Sequence, residues 1–212
     1  MDSQIQQIKT WLGIGSINIF GLPMSGKDTV GVQLAEKLGA KFLSSGMIVR
    51  AMEQATGQNL TGQGKLIASN VFYDWVLPYF EREELWKYPL VLSSIGRWSG
   101  EEDEVMTVAK NSGHTIRAAI ELQLSDTDVV ERWEAAKLLG DRGLRADDAN
   151  PQIFQTRINE YHEKTLPVLQ RYQELGLLVR VPANTSREQV LANVIEALAS
   201  FASRTSNFMP EL

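Results

Sequence analysis

Short apolar runs alternate along this chain with longer stretches whose apolar positions recur every three or four residues. The short runs predict five β-strands, at residues 17–20, 42–43, 89–94, 115–124 and 176–181. The third, "PLVLSS", is apolar on nearly every position, as a strand covered on both faces should be. The longer stretches predict helices with readable ends. Residues 27–38 form one that stops at Gly39, a residue suited to the left-handed turn after a helix. Asn150 and Pro151 supply a cap and a preorganised first position for a long helix. That helix carries Ile153, Phe154, Ile158, Tyr161, Leu169 and Tyr172, kinks at Pro167 and stops near Gly176. Residues 186–201 form a last amphipathic helix, and residues 1–15 an N-terminal extension with Ile5, Ile8 and Leu12 on one face. Strands that alternate with helices imply an α/β fold, a five-stranded parallel sheet with helices on both faces.

Two regions do not fit the alternation. Residues 45–88 hold helical patterns and no strand, and are expected to form an inserted lobe. Residues 137–149, "KLLGDRGLRADDA", are polar and punctuated by glycine, and are expected to form a loop. At 212 residues the whole chain, 1–212, is expected to be a single domain carrying these additions.

Composition narrows the partners. The net charge of −5 argues against nucleic acid, whose binding needs clustered Lys and Arg, but leaves room for a local cationic pocket. There is no cysteine, so disulfides and cysteine metal sites are excluded. No apolar run approaches the length of a membrane span, and no leader pattern opens the chain. A cytoplasmic protein with no membrane partner is the expectation, and a monomer the expected state. Neither His114 nor His162 has a Cys or His cluster around it, so there is no structural zinc pattern.

The chemistry begins at "INIFGLPMSGKDTV", residues 17–30. Gly21, Gly26 and Lys27 spell G-x-x-x-x-G-K between a predicted strand and a predicted helix. Glycines there let successive backbone N–H groups turn toward phosphate oxygens, the helix N-terminus adds partial positive charge, and Lys27 adds a full one. Ser25 belongs to the same loop. Asp28 stands where the general pattern has Ser or Thr, and Thr29 follows with a hydroxyl that could serve Mg²⁺ or phosphate.

Gly21-Leu22-Pro23-Met24-Ser25-Gly26-Lys27-Asp28-Thr29 resembles the G-x-P-x-x-G-K-G-T loop of the adenylate kinases and related nucleoside monophosphate kinases. The resemblance continues to about residue 200. "SSGMIVRA" (44–51) is similar to the family's S-T-G-D-x-x-R-A, which places Ser45 near the acceptor base and Arg50 on the monophosphate. Gly64-Lys65-Leu66-Ile67 resembles G-K-L-V, with Leu66 and Ile67 at the base. "SSIGRWSGE" (93–101) resembles D-G-F-P-R-x-x-x-Q and keeps Arg97. Arg132 matches the arginine of the helix entering the lid, Arg145 to Asp148 match the lid's R-x-D-D, and Arg157 opens a segment similar to R-L-x-E-Y-H-x-x-T-x-P-L. The resemblance implies the three-layer P-loop NTPase fold, a helical monophosphate-binding lobe at 45–88 and a short lid at 137–149.

It implies an activity as well, transfer of the γ-phosphate of MgATP to AMP. Lys27, Arg97, Arg132, Arg145 and Arg157 would be catalytic, with Arg142 a weaker addition. Asp147 and Asp148 would orient the lid arginines. Gly21, Ser25, Gly26, Lys27, Asp28, Thr29, Arg132 and Asn184 would bind ATP. Ser45, Arg50, Leu66, Ile67, Arg97 and Glu101 would bind the monophosphate, and Asp28 and Thr29 would meet Mg²⁺. Arginine suits such work because it offers paired contacts and keeps its charge.

Three departures keep alternatives open. Ser93 replaces the strand-end Asp, Met47 replaces an acid, and Glu101 replaces the glutamine that reads the base. Asp28 could take over from the missing strand-end carboxylate. A carboxylate only accepts hydrogen bonds, so Glu101 at a base would favour guanine, with its two donors, over adenine. Another acceptor, or a nucleotide-binding regulatory module with little turnover, are the alternative readings.

Overall fold

The computed structural model describes residues 2–139 and 150–206. Strand β1 (Ser16–Gly21) is buried at all its positions, because it lies in the middle of the sheet and is covered on both faces. Around it stand β2 (Lys41–Ser44), β3 (Leu90–Ser93), β4 (Ile116–Gln123) and β5 (Leu178–Pro182), in the order β2-β3-β1-β4-β5. Every pairing is parallel. The fold is therefore the three-layer α/β architecture that the alternation predicts.

The pleat sorts the strand residues between two cores. Ile17, Ile19 and Val91 face a core built with Leu34 of α2 (Lys27–Leu38), Leu12 of α1 (Asp2–Leu12) and Leu198 of α9 (Arg187–Ser206). Phe20, Leu90 and Leu92 face the other, with Val105 of α5 (Glu101–Asn111) and Val129 of α6 (Asp126–Leu139). The N-terminal helix is a packed arm: Trp11 meets Phe201 edge to face, with ring centroids 5.9 Å apart. Helix α9 runs past residue 201, because buried Ala202 continues its apolar face under α1.

Residues 45–88 hold α3 (Ser45–Thr56), α4 (Ser69–Trp75) and two short 3-10 turns, Leu77–Glu81 and Glu83–Leu85. Phe72, Leu77, Phe80 and Leu85 anchor them in the second core.

The helix ends follow the sequence. Gly39 closes α2 at φ +68°, its N–H reaching the carbonyls of Ala35 and Glu36. Asn150 Oδ1 accepts the N–H of Gln152 at 2.8 Å and so caps the next helix. The expected single kinked helix is in fact three pieces: α7 (Pro151–Glu160), a π-helical turn (Tyr161–Thr165) and α8 (Leu166–Glu174). Pro167 has no N–H for the carbonyl four residues back, and the chain widens just before it. Among the described residues no helix is long and apolar enough to cross a membrane.

Candidate active site

Parallel strands end at one edge, and here the ends of β1, β2 and β3 open into one cleft. Its lining includes Gly21, Ser44 and Ser93 from those ends, with Lys27 and Asp28 at the start of α2. Ligands in open α/β folds bind outside the carboxyl ends of the strands, and this cleft has that location.

The loop between β1 and α2 is shaped by its backbone. A Cβ on Gly21 would stand 2.7 Å from Ser25 Oγ and 3.1 Å from the Leu122 carbonyl oxygen, so only glycine fits. Met24 and Gly26 are both left-handed, at φ 61° and 82°. The Ser25 N–H donates to the Leu22 carbonyl at 3.1 Å, and Lys27 Nζ folds back toward the same oxygen at 3.5 Å. Ser25 Oγ is buried without a hydrogen-bond partner among the described residues.

Asp28 meets the end of β3. Ser93 Oγ donates to Asp28 Oδ1 at 2.5 Å, so a carboxylate stands at the strand end even though β3 itself supplies none. Thr29 is half-buried one residue further along α2.

The opposite wall comes from several elements. Arg50 projects from α3, Lys65 and Leu66 from the segment after it, and Arg97 from the turn between β3 and α5. Helix α7 contributes Arg157 and Glu160, and the π turn Tyr161 and Thr165. Among the described residues, five cations (Lys27, Arg50, Lys65, Arg97 and Arg157) and two carboxylates (Asp28 and Glu160) thus line the cleft. In a chain of net charge −5 this concentrates positive potential in one place.

The walls are held by carboxylates and hydroxyls. Glu160 accepts the Leu66 N–H at 3.0 Å and pairs with Lys164, joining α7 to the segment after α3. Ser45 Oγ donates to the Ser94 carbonyl at 2.7 Å. Glu53 accepts the N–H groups of Leu60 and Thr61 at 2.6 and 2.7 Å. Asn18 in β1 holds both backbone groups of Ile95, at 2.7 and 3.2 Å. Burial, reinforced by the Glu121 carboxylate that its hydroxyl meets at 3.3 Å, pushes the Tyr161 phenol well up, so it remains a neutral donor.

Other sequence candidates lie elsewhere. Arg132 spans the β1–α2 loop and the turn after β5, with one Nη 3.4 Å from the Met24 carbonyl and the other on the Ala183 carbonyl. Asn184 is exposed beside that second contact. Ile67 is partly buried against the second core. Glu101 is 2% exposed and is not part of the cleft lining; its carboxylate is turned onto the chain's own backbone and Ser69. Trp133 stacks on Phe154 at 4.9 Å. Arg142, Arg145, Asp147 and Asp148 fall outside the described residues. Glu160 and Thr165 were not singled out by sequence. Glu160 had a signal, since it follows Arg157 by three residues and shares its helix face.

No protein-family model matches the chain. Among curated proteins it is 30% identical to an adenylate kinase of Mesorhizobium japonicum over 194 residues, covering 87% of this chain and 96% of that one. It is 26% identical to an adenylate kinase of Micrococcus luteus over 196 residues, with 89% and 93% covered. Among solved structures it resembles a gluconokinase from Sinorhizobium meliloti 1021, with a TM-score of 0.62, 18% identity, and 93% and 98% of the two chains covered. That last likeness concerns the fold alone.

Proposed function

The chain belongs to the adenylate kinase family and is a phosphotransferase, and from that membership we propose that it transfers the γ-phosphate of MgATP to AMP, giving two ADP. The observation that carries this reading is the cleft. It brings the phosphate-loop lysine and the arginines of three other elements to one volume. Phosphoryl transfer asks little covalent work of a protein. It asks for two anionic substrates held in line and for charge to be neutralised as it spreads over the transferring group.

Lys27 and the loop amides around Gly21, Ser25 and Gly26 hold the donor phosphates in this proposal. The buried, unpartnered Ser25 Oγ suits a loop that closes on an oxygen-rich ligand. Arg132 and Asn184 serve the donor side next to Met24. Arg50 and Arg97 hold the acceptor phosphate, with Ser45, Leu66 and Ile67 toward its base. Arg157, and Arg145 from beyond the described residues, serve the transferring group. Residues 45–88 are the acceptor lobe and 137–149 the lid.

Mg²⁺ is the implied cofactor. No cluster of three His, Cys, Asp or Glu residues that could hold a metal occurs among the described residues. The Asp28–Ser93 pair fits a cation carried in by the nucleotide, because it sets one carboxylate beside the lysine, and Thr29 adds a hydroxyl. Bound there, the ion would neutralise charge between the donor phosphates. Asp28 thus supplies, from the helix, the carboxylate that β3 lacks.

A coupled assay of MgATP against AMP, GMP, CMP, UMP and dTMP tests the reading, with Lys27→Ala as control. Turnover with AMP that the substitution abolishes is the expected result. ATP binding without turnover on any acceptor would sink it and leave a regulatory nucleotide-binding module.

A further inference from the structure

We infer that Glu101 is a positioning residue that builds the acceptor side, rather than one that reads the acceptor base. The inference rests on the reading of the cleft as a monophosphate kinase site. Glu101 opens α5, directly after Gly100 in the left-handed conformation at φ 97°. Its carboxylate folds back over the turn. One oxygen accepts the N–H groups of Arg97 at 2.8 Å and Trp98 at 3.0 Å. The other accepts the Ser69 hydroxyl at 2.7 Å, and Ser69 is the first residue of α4. One buried side chain therefore shapes the turn that presents Arg97 and ties that turn to residues 45–88.

The surroundings agree. Gly96 packs so closely that a Cβ there would stand 2.9 Å from Val105 Cγ2, and its φ is 74°. Thr165 Oγ1 donates to the Arg97 carbonyl at 3.3 Å, and Lys164 Nζ lies 4.0 Å from the centre of the Trp98 ring. The Arg97 backbone is thus gripped on its N–H by Glu101 and on its carbonyl by the π turn. With three protein donors on its carboxylate and no place in the cleft lining, Glu101 is not presented to a base. A carboxylate serves well here because it accepts several backbone N–H groups at once and suits the N-terminus of α5. Glutamine could reproduce the set: its oxygen accepts from both N–H groups and its amide donates to Ser69. Alanine cannot.

The experiment compares Glu101→Ala, Glu101→Gln and Ser69→Ala with the parent protein. Two readouts are used: the KM for each nucleoside monophosphate against that for ATP, and amide hydrogen exchange at Arg97 and Trp98 in the nucleotide-free protein. Glu101→Ala is expected to raise the acceptor KM by about tenfold, with little change for ATP, and to speed exchange at both amides. Glu101→Gln is expected to recover most of both losses and to keep the order of acceptor preference. Ser69→Ala should raise the acceptor KM less and leave both amides protected. A reversed AMP-to-GMP order in Glu101→Gln overturns the inference, as does unchanged exchange at both amides in Glu101→Ala. Should Glu101→Ala fail to fold, Glu101→Gln and Ser69→Ala still decide it. If the parent protein uses no nucleoside monophosphate, the proposed function fails by itself, and the amide exchange still decides the positioning role.

Discussion

The two walls of the cleft are built by different means. The donor loop is local. Its shape comes from Gly21, Met24 and Gly26, with short-range bonds such as Ser25 N–H to the Leu22 carbonyl. The opposite wall, proposed to hold the acceptor, is held by side-chain carboxylates. Glu53 holds residues 60 and 61, Glu101 holds residues 97 and 98 and Ser69, and Glu160 holds Leu66. In each case a carboxylate from a helix captures backbone N–H groups of an irregular segment. Such segments have no ladder of their own, and an unpaired buried N–H is costly.

The largest effect should come from the donor side. Lys27→Ala is expected to lower kcat by about a thousandfold with the fold retained, as measured by the coupled assay together with circular dichroism. If turnover survives, the loop lysine is not part of the transfer step. Next comes the junction of the two walls. Asp28→Asn should keep a hydrogen bond to Ser93 yet lose the charge. The Mg²⁺ concentration needed for half-maximal turnover should rise by about tenfold, and Mg²⁺-dependent tightening of ATP binding, followed by calorimetry, should weaken. An unaltered Mg²⁺ titration would refute the relocated carboxylate.

A purely acceptor-side break is smaller. Glu53→Ala removes the acceptor for two backbone N–H groups and for the Thr61 hydroxyl. The loss is about 1–3 kcal/mol locally, and should appear as a several-fold rise in the acceptor KM with the ATP KM kept. Equal rises in both would erase the distinction between the walls.

The smallest effect concerns Glu102, beside the acceptor turn. Burial pushes its carboxyl above the ordinary value of 4.5, opposed by the backbone N–H groups of Glu102 and Gly100. The folded chain therefore holds this proton more tightly than the unfolded chain does. Stability contributed by the neutral form falls as pH rises from the ordinary carboxylate range through the raised folded value. Glu102→Gln lacks that loss, so its melting temperature should exceed the parent's by on the order of 1 °C at neutral pH, and the gap should close in acid. A constant gap across pH would assign the effect to packing.

Legibility follows the same division. The loop at residues 21–29 could be read because its chemistry lies within nine consecutive residues and its glycines have a physical reason at each place. Arg50, Arg97 and Arg157 were readable only through order and spacing along a resemblance. The structure brings them together from three elements. Glu101 shows the limit. Its residue type says that it accepts hydrogen bonds, and nothing in the sequence says from whom. The donors are set by how the turn at 97–100 folds back over α5. Pro167 was legible as a disturbance, but the π turn it accompanies depends on what the helix packs against.

By itself, then, the sequence determined the alternation of strands and helices, the capped helix ends and the glycine-shaped loop after β1, since periodicity, glycine and proline act over a few neighbouring residues. Only the tertiary structure decided that Asp28 stands at the end of β3, that Arg132 reaches across to the turn after β5, and that Glu53, Glu101 and Glu160 face inward to the backbone. The physical reason is that a hydrogen bond from a side chain to a folded-back segment has no local signature, whether its partner is four positions away, as for Glu101 and Arg97, or 65 and 94 away, as for Ser93 with Asp28 and Leu66 with Glu160. It exists only once packing has brought donor and acceptor within about 3 Å of each other.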